Sequence, residues 1–344
     1  SYQLIFNSME KICSSSFRLL SQATKVCVRQ SKSTFRSCIY MRAMSTAKSL
    51  DISGIYPPIV TPFDSNEDIS WEKLEFNLKK LQQHPLRGYV VQGSNGEYAF
   101  MTSEERVEMV RRVKEMVPDD KLIIAGSGCE STRDTINMSK NMAKAGADVV
   151  LVITPSYYKS GMTNAALEKH FTKVADESPV PVVLYNIPAN TGIDLAPEVV
   201  FKVCNHPNII GLKDSGGDIS KIGNMVYKTK DIDFQILAGS AGFLFPAFMA
   251  GCVGGVLALA NALPGECCQI EKLYRAGQYE EAQKLQQRLI APNGDVTRKF
   301  GVPGLKVAME WFGFYGGPTR LPLLPIEQEQ VNSMKKNFQH SQFL

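Results

Sequence analysis

The sequence predicts an α/β protein: a (β/α)8 TIM barrel followed by a C-terminal helical bundle. Three observations carry that expectation. Eight short apolar, β-branched runs recur between residues 52 and 260, each ending in small or polar residues. Helix-length amphipathic segments lie between them. The runs are continuously apolar, not alternating, as in strands buried on both faces of a parallel sheet. Eight such units in about 200 residues suit a closed barrel better than an open doubly wound sheet.

In order, the strand candidates are "ISGIYPPIV" (52–60), "RGYVVQG" (87–93), "KLIIAGSG" (121–128), "DVVLVIT" (148–154), "PVVLYN" (181–186), "NIIGLK" (208–213), "FQILAGS" (234–240) and "GGVLALA" (254–260). Helices are expected over 70–83, 103–117, 132–145, 163–177, 197–204, 219–229 and 241–250. "TSEER" supplies a Thr or Ser cap with glutamates in the first turn, a helix-start signal. Beyond residue 263 the strand pattern stops, and "PGECCQIEKLYRAGQYEEAQKLQQRLIAP" and "GDVTRKFGVPGLKVAMEWFGF" read as helices. The expected organisation is therefore a leader over 1–48, a catalytic barrel over 49–263 and a helical region over 264–344.

The leader stands apart in charge. It holds eight Lys or Arg and one acid, Glu10, which leaves 30 basic and 33 acidic residues in the body. Basicity confined to the front argues against a nucleic-acid footprint on the folded domain. A Ser-rich, Arg-bearing segment without a long apolar core reads as a mitochondrial transit peptide, with a disordered basic tail as the plainer alternative. No stretch reaches the ~18 uninterrupted apolar residues of a membrane helix. Five of the eight cysteines follow the leader, with no C-x-x-C pair, which suits free thiols in a reducing compartment.

In a barrel of this kind chemistry sits at the carboxyl ends of the strands. Lys213 ends the sixth run, where a long cation is a poor choice unless it has a use. Only about one free lysine in 10³ is a neutral amine at pH 7. Burial at a barrel mouth disfavours the charged form and produces the amine that attacks carbonyls. The plainer alternative is a lysine that snorkels to solvent or pairs with Asp214. Tyr185 nearly ends the fifth run; it is either core packing or a proton relay for such an amine. "GSNGE", Gly93 to Glu97, follows the second run. It either presents N–H groups and the side chains of Ser94 and Asn95 to a carboxylate or phosphate, or is a tight turn. Its spacing matches no nucleotide-binding loop. Four histidines with no ligand spacing give no expectation of a metal.

With these residues in view, the chain resembles the pyruvate-binding class I aldolases of the dihydrodipicolinate synthase and N-acetylneuraminate lyase family over about residues 50–320. The resemblance rests on "GSNGE", "TPSYY", "YNIPANTG" and "GLKDSGGD", in that order at the ends of strands two, four, five and six. It implies a Schiff base on Lys213, proton transfer by Tyr185, and a carboxylate held by Ser94 and Asn95, with no cofactor. It also implies that Tyr157 reaches into a neighbouring subunit of a homotetramer, and that Ser215 lies near the leaving aldehyde. The motif versions here imply cleavage of 4-hydroxy-2-oxoglutarate to pyruvate and glyoxylate in hydroxyproline degradation, in the mitochondrial matrix. A 2-keto-3-deoxy sugar-acid aldolase or a neuraminate lyase is the alternative. The family's synthases carry an arginine where Asn190 stands, and replacing a bidentate carboxylate fork is not conservative. Asn190, Ser215 and Ser240 are the candidates for the distal carboxylate, and Glu97 is expected to be structural, a supporting or helix-start acid.

Overall fold

All eight runs form strands, and every pairing is parallel. The computed structural model describes residues 50–344, so the leader expected over 1–48 lies outside the described residues. The chain alternates β1 (Gly54–Tyr56), α1 (Trp71–Leu81), β2 (Gly88–Val91), α2 (Ser103–Met116), β3 (Leu122–Gly126), α3 (Thr132–Lys144), β4 (Val149–Ile153) and α4 (Asn164–Glu177). It continues through β5 (Val182–Asn186), α5 (Pro197–Val203), β6 (Ile209–Asp214), α6 (Ile219–Thr229), β7 (Gln235–Ala238), α7 (Leu244–Met249) and β8 (Gly254–Val256). The sheet order runs β1-β8-β7-β6-β5-β4-β3-β2. Closure between β1 and β2 comes just past the end of β1. There Ile59 N–H donates to Val90 O at 3.0 Å and Val90 N–H donates to Pro57 O at 3.0 Å.

The strands read as continuous apolar runs because each buries two faces. One set of side chains fills the lumen, Tyr56, Val90, Ile124, Leu151, Val183, Tyr185 and Leu237 among them. The other set packs under the helices. Polar residues at the loop ends start the helices. Thr102 and Glu105 form a reciprocal capping box on α2, while Ser131, Thr163 and Asp218 accept backbone N–H groups at the starts of α3, α4 and α6. Such caps fix where each rim loop stops. One expected helix is shorter than its pattern: 241–250 begins as a 3-10 turn, Ala241–Phe243, before α7.

After the barrel come α8 (Pro264–Arg275), α9 (Tyr279–Gly294), α10 (Gly301–Trp311) and α11 (Gln328–His340). These helices hold the loops of the rim. Gln286 of α9 accepts from Phe245 N–H and donates to Ala241 O, both at 2.8 Å, and Asn293 Nδ2 donates to Ser240 Oγ at 2.9 Å. Lys306 of α10 reaches the loop after β2.

Candidate active site

Strand β6 aims its lysine inward by means of an irregularity. Val182 pairs with Ile209 and the next residue, Val183, pairs with Gly211, so Ile210 is an extra residue. Strict alternation from Ile210, a lumen residue, would put Lys213 outside. The bulge resets the phase, leaving Leu212 under the helices and Lys213 inward. Gly211 is required there, because a Cβ would sit 2.2 Å from Gln235 O on β7.

Register then places Lys213 directly beside Tyr185. Both are buried, 3% and 4% exposed, and Lys213 Nζ lies 3.9 Å from the centre of the Tyr185 ring. Lys213 makes no ion pair with Asp214, which excludes one plain reading of it. Tyr185 Oη is 3.4 Å from Ser94 Oγ, so the loop after β2 joins the same cluster. Ser94 and Asn95 are half-buried on a 3-10 turn, Ser94–Gly96. Gln92, just before it, holds φ at 59°, a left-handed strain of the kind that collects at functional sites.

The residues that follow this pair point the other way and are tied to each other. Asn186 Nδ2 donates to Asp214 Oδ2 at 2.9 Å and to Asp194 Oδ1 at 2.8 Å, and its Oδ1 accepts from Leu195 N–H. Gly216 N–H donates to Asp214 Oδ1 at 2.8 Å, and Lys221 pairs with Asp194. Burial pushes the Asp194 carboxyl up, but Lys221 and Asn186 outweigh it and hold it below the usual range. An outer clamp therefore fastens β5 to β6 one residue beyond the inner pair.

Other expected residues lie further off. Ser215 is half-buried, its Oγ 3.4 Å from Gly239 O. Asn190 is exposed on a single helical turn, Pro188–Thr191. Ser240 Oγ is taken up by Asn293 and Gly242 N–H. Tyr157 is 77% exposed, with its backbone N–H and that of Ser156 held by Glu130 Oε2 at 2.9 Å. Its ring meets that of Tyr158 edge-on, 5.0 Å between centres. Glu97 is structural, as expected: it stands at the start of the 3-10 turn Tyr98–Phe100, but its side chain does not cap that turn. It is buried with φ at 56°, ion-paired to Lys306 Nζ at 2.7 Å, and accepts from Arg320 N–H.

Sequence reasoning missed three supporting groups: Asn186, Lys306 and Arg106. Lys306 sits in the apolar run "GLKVAM", the same anomaly that marks Lys213. Arg106 is buried under Tyr98, donates to Gly126 O at 2.8 Å and lines a small cavity with Ser94 and Tyr185. Nothing in its helix-start position distinguishes it from a surface arginine. Among the described residues no group of three His, Cys, Asp or Glu comes together as a metal site.

Eight parallel strands closed around a buried lysine and tyrosine at the carboxyl rim place the chain among the (β/α)8-barrel enzymes. It belongs to the dihydrodipicolinate synthetase family, whose model matches residues 51–341, and with that family it is a lyase. A probable mitochondrial 4-hydroxy-2-oxoglutarate aldolase of Emericella nidulans is 38% identical, over 84% of this chain and 95% of its own. A 4-hydroxy-tetrahydrodipicolinate synthase of Methanoculleus marisnigri is 34% identical, over 82% and 97%. A dihydrodipicolinate synthase of Bacillus anthracis superposes with a TM-score of 0.81 at 30% identity, covering 85% of this chain and 99% of that one.

Proposed function

We propose that the protein is a Schiff-base aldolase that cleaves 4-hydroxy-2-oxoglutarate to pyruvate and glyoxylate. The observation that carries this reading is the buried Lys213 Nζ, 3.9 Å from the centre of the Tyr185 ring, with Ser94 at the tyrosine hydroxyl. Lys213 attacks the C2 ketone, and water leaves as the imine forms. The protonated imine accepts the electron pair of the C3–C4 bond as the C4 hydroxyl gives up its proton. Glyoxylate departs, and the remaining enamine takes a proton at C3. Hydrolysis then frees pyruvate and the amine. Tyr185 relays the protons, while Ser94, Asn95 and the N–H groups of their turn hold the C1 carboxylate. Ser215 and Asn190 serve the departing end, and no cofactor is needed.

Four further features support this substrate, setting and assembly. Asn190 stands where a synthase arginine is expected, and the aldolase named above is mitochondrial. The basic leader agrees with import into the mitochondrial matrix. Exposed Tyr157 suits a homotetramer in which it completes a neighbour's site.

Pyruvate with borohydride should add a reduced adduct to the peptide containing Lys213, and Lys213→Ala should lose both adduct and turnover. A Lys213→Ala enzyme with near-parental kcat would sink the mechanism. The substrate is decided by kcat/KM for 4-hydroxy-2-oxoglutarate against 2-keto-3-deoxy sugar acids, N-acetylneuraminate and the synthase substrates.

A further inference from the structure

A second cavity, of about 650 Å³, lies between α3 and α4, on the outside of the barrel; neither Lys213 nor Tyr185 lines it. Its walls carry unbalanced charge. Arg133 stands on α3, while Lys169 and Lys173, one turn apart, stand on α4. None of the three forms an ion pair with a described residue. The two acids in the groove are already engaged. Glu130 holds the N–H groups of Ser156 and Tyr157, and Glu177 pairs with Lys140 at 2.7 Å while also feeling the charge of Lys173.

His170, 5% exposed, is one of the residues that line the groove. Its Nδ1 lies 2.9 Å from Thr132 Oγ1, but its Nε2 is buried with no partner. A buried nitrogen left unpaired costs free energy, so this side of the groove is not optimised for the fold alone. Burial pulls the imidazole down to about 4, against the opposing charge of Glu130, so at neutral pH the ring is neutral. Ile136 and Met162 add apolar surface beside it.

We propose that this groove binds a small organic polyanion, a di- or tricarboxylate. Its charged ends face Arg133 on one wall and Lys169 and Lys173 on the other, with His170 beside them. Cations drawn from two separated helices suit carboxylates spread along a carbon chain. A single compact oxyanion would want its donors convergent. The volume falls within the range of small-molecule sites, and the apolar lining favours a carbon skeleton. The site does not depend on the lysine chemistry of the barrel mouth.

Calorimetric titration of citrate into the whole chain tests this, with Lys213→Ala as the control that cannot form an imine. Binding should be equal in the parent and in Lys213→Ala. It should weaken about tenfold or more when Arg133→Glu and Lys169→Glu, both exposed, are combined. Circular dichroism verifies that the double variant is folded. No citrate binding, or binding untouched by the charge reversals, overturns the proposal. Competition by pyruvate would move the citrate to the barrel mouth and overturn it as well. Inorganic phosphate binding as tightly as citrate would overturn the polycarboxylate class.

Discussion

Tyr185 does two separable things at the residue scale. Its ring lies against Lys213 Nζ, and its hydroxyl stands 3.4 Å from Ser94 Oγ. Tyr185→Phe keeps the first and deletes the second. The expected outcome is a kcat lower by about 10² to 10⁴, the usual contribution of a positioned proton carrier. Lys213 should still be trapped by pyruvate and borohydride, only more slowly. Steady-state rates with trapping followed by mass spectrometry check this, and a kcat near the parent's would remove the hydroxyl from proton transfer. Lysine and tyrosine were legible in the sequence because each is polar at the end of an apolar run. Arg106 was not, since its burial beneath Tyr98 is created by packing.

The unit at the element scale is the β5–β6 pair. Tyr185 and Lys213 face the lumen, and Asn186 and Asp214, one residue on, lock the same register from outside. Asn186→Ala would remove the amide shared by the buried Asp214 carboxylate and Asp194, leaving only Lys221, 2.5 Å from Asp194 and 4.0 Å from Asp214, between them. Stability should fall by about 1–3 kcal/mol or more for the unsatisfied groups, read as a lower urea midpoint. The kcat should drop more than KM rises, because the clamp sets the lysine against the tyrosine more than it touches substrate. A variant that unfolds earlier yet keeps the parent's kcat would show that the clamp is only structural. The strand pattern announced β5 and β6 plainly. It could not announce the bulge at Ile210, because the extra residue exists only relative to the partner strand.

Across the whole molecule, the C-terminal helices support the rim. Lys306 Nζ reaches Glu97 at 2.7 Å and also donates to Thr61 O at 2.9 Å, so α10 is fastened behind the loop that carries Ser94 and Asn95. Lys306→Met strands a buried carboxylate and should cost about 3–5 kcal/mol, whereas adding Glu97→Gln should recover part of the loss. Chemical denaturation of the three variants decides it; additive losses would mean the pair is not coupled. Stability should also depend on acid. His170 sits at about 4 in the fold because of burial, against an ordinary 6.5. Above 6.5 neither state carries its proton, and its neutral burial costs nothing extra. As pH falls from 6.5 towards 4 the unfolded chain takes up a proton that the native state refuses, so stability declines. His170→Gln should flatten the fall of the urea midpoint between pH 7 and 5. An unchanged slope would mean that other groups carry it.

The sequence by itself determined the eight strands, the helices between them and the rim positions of Lys213, Tyr185 and "GSNGE". These are local matters, because apolar runs, caps and turn residues act over a few positions. Only the tertiary structure decided which way Lys213 points, what anchors Glu97, and that Asn186, Asp194 and Asp214 form one clamp. Each of those depends on groups far apart in the chain, brought within hydrogen-bonding reach only when the barrel closes and the last helices pack behind it.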